Sequence, residues 1–379
     1  MNRSIILCIT SIILLLNTTQ LFGQSSNNDY KIVGYIAGWH DWSTDMIDAQ
    51  KLTHINYAFA DIQDGKVSSY LENDDYNYQV LDSLKAENPD LKILVSVGGW
   101  SRSTYFSDAA LTEESRELFA ESAVEFMKKY KLNGVDLDWE YPGLSGAGNV
   151  YRAVDKQNFT LMLKVLREHL DRQAELDDRK DNPYLLTIAT GASKNYLEHT
   201  EMHEAHQYLD FINIMTYDFH TGGSPIAGHH SNLYPSQSLH FTGPSADQSV
   251  QWHIDAGIPS GKLVLGVPFY GRAWSGVRSE NNGLYQWTGG DERGSAGFDR
   301  LRDELINKNG FTRYWDDEAQ APYLWNPETQ TIYVYDDEES LQIKMDYIKA
   351  RGLGGAMFWE YSSNLGEELL NTLYNGLNN

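Results

Sequence analysis

Asn133-Gly134-Val135-Asp136-Leu137-Asp138-Trp139-Glu140-Tyr141-Pro142 alternates acidic and apolar side chains, and its setting decides the fold. Residues two apart on a strand share a face, so Asp136, Asp138 and Glu140 line one side while Val135, Leu137 and Trp139 take the other. Such a strand is either half-buried with a solvated acidic face, or it belongs to a barrel, with its apolar side under helices and its acids pointing inward. The rest of the chain chooses between these readings.

Eight short apolar runs recur, at 31–37, 52–60, 91–97, 134–139, 185–189, 211–216, 263–269 and 354–359. Nearly continuous runs rich in Val and Ile read as strands buried on both faces, the environment of a parallel sheet. Helix-like segments lie between them. Over 112–130, Thr112 is an expected N-cap, Glu113 and Glu114 fall in the first turn, and Leu118, Phe119, Ser122, Ala123 and Phe126 form a largely apolar stripe. Phe159, Met162, Leu163, Leu166 and Leu170 repeat that spacing over 155–170. Eight βα units predict an α/β fold, a (β/α)8 TIM barrel with its active site on the loops after the strand C-termini.

A barrel of this kind takes about 250 residues. The surplus falls between strands 7 and 8, where 271–337 carries Trp274, Trp287, Trp315, Trp325 and a strand-like alternation over 331–335. This segment is expected to form a small α+β insertion subdomain beside the barrel mouth, with 30–270 and 338–379 as the catalytic barrel. The acidic strand is then the fourth, and Glu140 stands at the open rim. Carboxylates crowded in a confined site cannot all ionise, so at least one pKa should rise and supply a protonated acid near neutral pH.

The chain has 379 residues, with 30 basic against 53 acidic side chains and a formal net charge of −23. That balance argues against nucleic acid or an acidic membrane surface as partner, because phosphates must be neutralised by Lys and Arg. One cysteine, Cys8, excludes an intramolecular disulfide and a multi-cysteine zinc site. Arg3 followed by an apolar run over 5–16 reads as a secretory signal peptide, 1–23, too short to cross a bilayer. Its removal would leave a protein exported to the periplasm or outside, with no cysteine and no membrane attachment. Aromatics make up 12% of the chain, including 24 Tyr and 10 Trp, and such flat amphipathic surfaces suit sugars.

Two carboxylates about 5 Å apart on opposite sides of a sugar ring are the usual retaining arrangement. Here the acids lie on one strand. If Glu140 protonates a glycosidic oxygen, neither aspartate is well placed to attack the far face of the ring, and another nucleophile is needed. A 2-acetamido group on the sugar could serve, with Asp138 orienting its N–H.

At this point the residues resemble a known family. The run 134–142, with Ser96-Val97-Gly98-Gly99-Trp100 on the third strand, Met215-Thr216-Tyr217-Asp218-Phe219 on the sixth and Trp359-Glu360-Tyr361 on the eighth, resembles glycoside hydrolase family 18, the chitinases. The resemblance spans essentially the whole mature chain and implies substrate-assisted catalysis through an oxazolinium, the known mechanism of that family. It implies Glu140 as general acid and then base, Asp138 holding the acetamido group, Asp136 sharing a proton with Asp138, and Tyr217 donating to the acetamido carbonyl. Asp218, Trp359, Trp100, Met215, Tyr141, Arg272 and Gly99 match substrate-binding positions, Trp359 as the floor under the reacting sugar, Trp100 as a leaving-group platform and Arg272 as a substrate-side arginine. Tyr35 and Ser96 match positions beneath the acid pair.

The implied partner is chitin or chitooligosaccharides, with neither cofactor nor metal, and a monomer is expected. Two departures stand out: Asn133 where the motif usually begins with Asp, expected to tune activity, and a loop His220-Thr221-Gly222-Gly223-Ser224 without tryptophan. The histidines of 198–206 read as a solvated helical face because the zinc motif is incomplete. The acidic runs 316–318 and 336–339 read as solvated surface because they lack calcium-loop spacing. A silent chitin-binding lectin should lack the acid, which Glu140 supplies. An endo-β-N-acetylglucosaminidase acting on N-glycans should lack the insertion.

Overall fold

A computed structural model describes residues 30–236, 243–289 and 293–379; the expected signal segment, with Cys8, lies outside them. Eight parallel strands close on themselves: β1 (Lys31–Ala37), β2 (His54–Gln63), β3 (Lys92–Gly98), β4 (Gly134–Asp138), β5 (Leu185–Gly191), β6 (Phe211–Met215), β7 (Leu263–Pro268) and β8 (Gly355–Trp359). Each pairs with its sequence neighbours, and β1 pairs with both β2 and β8, which closes the barrel. Every expected run is one of these strands, with ends shifted by up to three residues. A short antiparallel strand, Lys66–Ser68, extends the outer end of β2.

Side-chain alternation divides the apolar residues between two layers. Val135, Leu137 and Trp139 join the large core between barrel and helices, where Trp139 stacks on Phe106 at 5.2 Å. Val33, Tyr35, Ala58, Phe59, Phe211, Val264 and Met357 fill the barrel interior. The helix Glu113–Lys129 starts as expected, with Thr112 and Ser115 forming a capping box. The second expected helix runs over Asp155–Leu176.

Between β7 and β8 the chain forms a five-stranded antiparallel sheet, ordered Arg293–Gly297, Tyr270–Trp274, Thr331–Val334, Ala321–Asn326 and Thr312–Asp316. It has its own core of Trp274, Leu284, Tyr323, Trp325, Ile332 and Val334, which accounts for part of the tryptophan surplus there.

Three sequence expectations hold only in part. Asp336 is buried against Lys344 at 2.5 Å, and Asp337 caps the helix Glu338–Arg351 while pairing with Arg313, so 336–339 is only partly solvated. Asp316 likewise turns inward, accepting from Tyr285 and standing 3.4 Å from the buried His229. The 198–206 segment is no single helix: Lys194–Glu198 and Met202–Ala205 are separate, with a 3-10 turn His206–Tyr208 after them, so its histidines share no continuous face.

Candidate active site

The C-terminal ends of the strands open into a groove of about 1120 Å³, lined by Asp138, Glu140, Tyr141, Met215, Tyr217, Asp218, Arg272, Trp100 and Trp359 among others. That volume exceeds what one small ligand fills and suits an extended one. Asp136, Tyr35 and Ser96 lie beneath it, wholly or almost wholly buried.

The register of the barrel builds the acidic centre. Asp136 on β4 is level with Ser96 on β3 and Thr187 on β5, and Asp138 is level with Gly98. Adjacent level residues in a parallel sheet point the same way, so these side chains meet inside the barrel. Tyr35 and Ser96 donate to Asp136 Oδ2 at 2.8 and 2.7 Å, and Thr187 donates to Oδ1 at 2.5 Å. Asp138 Oδ1 is buried with no hydrogen-bond partner, and the proton the sequence reading shares between the two aspartates is not seen as a direct bond. Ser103, a residue the sequence reading passed over, holds the end of β4: Glu140 N donates to its Oγ at 2.8 Å, and Oγ lies 3.2 Å from the Asp138 carbonyl.

Glycines let β3 approach that end. Gly98 has φ 105, and a Cβ there would stand 2.4 Å from the Asp138 carbonyl oxygen. Gly99 has φ 80, donates to the same carbonyl at 2.7 Å and leaves room for the Phe59 ring. Only glycine adopts this conformation without strain.

Electrostatics follow from burial. Loss of water lifts Glu140 to about 7, with the Asp218 charge adding to the effect and the Tyr141 hydroxyl opposing it. Asp138 rises well above the usual carboxylate range through burial and then through Glu140 and Asp136. Burial raises Asp136 as well, against the pull of Thr187, Ser96, Tyr35 and Asn213. Tyr217 keeps its proton because it is buried beside Tyr270 and these acids.

Asp218 behaves differently. Arg272 clamps it with bonds of 2.8 and 2.6 Å, and Tyr270 donates to it at 2.8 Å. Burial raises its pKa, yet the buried His230, 3.5 Å away, and Arg272 outweigh this and hold it below the carboxylate range. Arg272, expected on the substrate side, therefore spends its charge on Asp218.

The groove floor is aromatic. Trp359 stacks on Phe59 at 5.4 Å and lies 6.2 Å from the half-exposed Trp39. Trp100 is 55% exposed and packs edge-on to Tyr141 at 6.5 Å. Phe59 and Trp39 were not singled out in the sequence; their positions, near the end of the run 52–60 and just after the run 31–37, are the signal that could have found them. Asn133 lies at the opposite end of β4, its side chain accepting from Ile93 N at 3.0 Å, which makes it a fastener between β3 and β4. Among the described residues no cluster of His, Cys, Asp or Glu could hold a metal ion.

Residues 31–364 match the family described as Glycosyl hydrolases family 18. The chain belongs to glycoside hydrolase family 18. Relatives within that family include chitinases. Chitinase A1 of Niallia circulans is 42% identical over 409 residues, covering 91% of this chain and 58% of that protein, so the chain spans little more than half of that relative. Chitinase B of Serratia marcescens is 33% identical, with 82% of this chain and 73% of that protein covered. A family 18 N-acetylglucosaminidase from Paenibacillus barengoltzii superposes with a TM-score of 0.85 at 46% identity, covering 92% of this chain and all of that one. A class V chitinase from Nicotiana tobaccum, solved in complex with NAG4, gives 0.82 at 27% identity, covering 92% and 99%.

Proposed function

We propose that this family 18 member is a secreted, monomeric, retaining chitinase that hydrolyses β-1,4 linkages between N-acetylglucosamine units through an oxazolinium intermediate. The signal peptide is 1–23, the barrel 30–270 with 338–379, and the insertion 271–337. The observation that carries the reading is the placement of the groove's acids. Asp138 ends β4 and Glu140 follows two residues on, and the other two carboxylates lining the groove are engaged: Asp218 by Arg272 and Tyr270, Glu360 by Ser362 and Ser363. Among the described residues neither of these two carboxylates is free, which supports an attacking group supplied by the substrate.

Glu140, protonated near neutral pH, gives its proton to the leaving oxygen. Asp138 accepts the acetamido N–H through a carboxyl oxygen, and the one negative charge of the Asp136–Asp138 pair offsets the positive charge of the ring that forms, while Tyr217 donates to the acetamido oxygen. Water activated by Glu140 then opens the oxazolinium, restoring the proton. Asp136, Tyr35 and Ser96 support Asp138 from below. Trp359 carries the reacting sugar, Trp100 and Tyr141 flank the leaving side, and Met215, Asp218, Gly99 and Arg272 shape the groove.

The test is incubation with chitotetraose and chitohexaose beside Glu140→Gln. Wild type is expected to shorten both, and the variant to lose about 10² to 10⁴ in kcat. Intact chitooligosaccharides together with cleavage of glycoprotein N-glycans would overturn the assignment.

A further inference from the structure

Asp136 accepts hydroxyl hydrogen bonds from three strands, and the one from β5 has no counterpart in the roles proposed above. Ser96 and Thr187 are both level with Asp136, one on each side, so the ladder aims both hydroxyls at its carboxylate. Thr187 donates to Oδ1, while Ser96 and Tyr35 crowd Oδ2. A threonine hydroxyl has one proton to give, and giving it to a carboxylate favours the charged form. Two residues along β4, Asp138 is also buried but has an unpartnered Oδ1.

The polar and titratable groups around the aspartate pair are Tyr35 from β1, with Asn56 of β2 beside it, Ser96 from β3, Glu140 and Tyr141 beyond β4, Thr187 from β5, Tyr196 beyond β5, and Asn213 and Tyr217 from the β6 side. None of these is a cation. With no positive side chain among them, the location of a proton on the pair is set by hydrogen-bond donors.

From this geometry we propose that Thr187 is a positioning residue that keeps Asp136 ionised and thereby holds the proton of the aspartate pair on Asp138. The proposal rests on the reading that Asp138 and Glu140 carry the chemistry. Thr187 touches no reacting atom; it acts through Asp136. With one donor lost, Asp136 competes for the proton, and the pair takes up its second proton at a higher pH.

Thr187→Val removes the donor and keeps the shape, whereas Thr187→Ser keeps the donor. On chitotetraose, Thr187→Val is expected to lower kcat about tenfold with KM changed less than about twofold, and to move the acid limb of the kcat profile up by about one pH unit. Thr187→Ser is expected to restore both. A folded Thr187→Val with wild-type kcat and acid limb overturns the proposal, as does equal loss in both variants, which reports packing alone. Carboxyl-carbon NMR of the wild-type chain supplies a second test that needs no variant: Asp136 should titrate below Asp138, and the reverse order overturns the proposal. An active Glu140→Gln would sink instead the site reading on which this rests.

Discussion

A carboxyl group taken out of water favours its neutral form, and Glu140, 8% exposed at the rim of β4, is raised to about 7 mainly for that reason. The same shift costs stability when the group ionises. Between the ordinary glutamate pKa and about 7 the folded chain keeps a proton that the unfolded chain has released, so this group's contribution to stability falls as pH rises through that window. Glu140→Gln removes the titration. The variant's unfolding free energy is expected to gain on wild type between about pH 5 and pH 8, by roughly 3 kcal/mol at most, since one pKa unit is about 1.4 kcal/mol. Urea denaturation at the two pH values measures this, and a difference that stays constant with pH would contradict it. Asp138 titrates with Glu140, so the transition belongs to the pair.

At the scale of elements, strands hold the site and one helix fastens the insertion to the barrel. Lys344, on the helix Glu338–Arg351, donates to Asp336 and to the Ser231 carbonyl, wholly buried. Ser231 and Ser340 complete the cluster around Asp336. Removing one partner of a buried pair strands the other charge, so Lys344→Ala is expected to cost about 3 to 5 kcal/mol. Replacing both partners, Lys344→Met with Asp336→Leu, should cost less. Denaturation of the two variants decides, and an undisturbed Lys344→Ala would show that the cluster contributes little.

These elements also mark where the sequence was readable. β1 to β8 could be located because burial on both faces leaves uninterrupted apolar runs, and the acids of β4 because period-two alternation is local. Asp336 was misread because its partner Ser231 lies 105 residues away and Lys344 on a later helix. Thr187 was passed over for a similar reason: one hydroxyl in an apolar run gains meaning only from its register with Asp136.

Over the whole molecule, the barrel gathers the acids, aromatic floor and oriented hydroxyls from separate strands at one end, and the insertion sheet supplies Tyr270 and Arg272 from its second strand. The proposed substrate assistance calls for a proton donor and an acetamido-binding acid, the roles proposed for Glu140 and Asp138, and among the described residues the other carboxylates lining the groove, Asp218 and Glu360, are engaged. Attack by the substrate's own acetamido group followed by water inverts the anomeric carbon twice. The most direct measurement is proton NMR of the anomeric region during the first minutes of chitotetraose hydrolysis, before mutarotation. The first product is expected to be the β-anomer; release of the α-anomer would show a single displacement and contradict the mechanism.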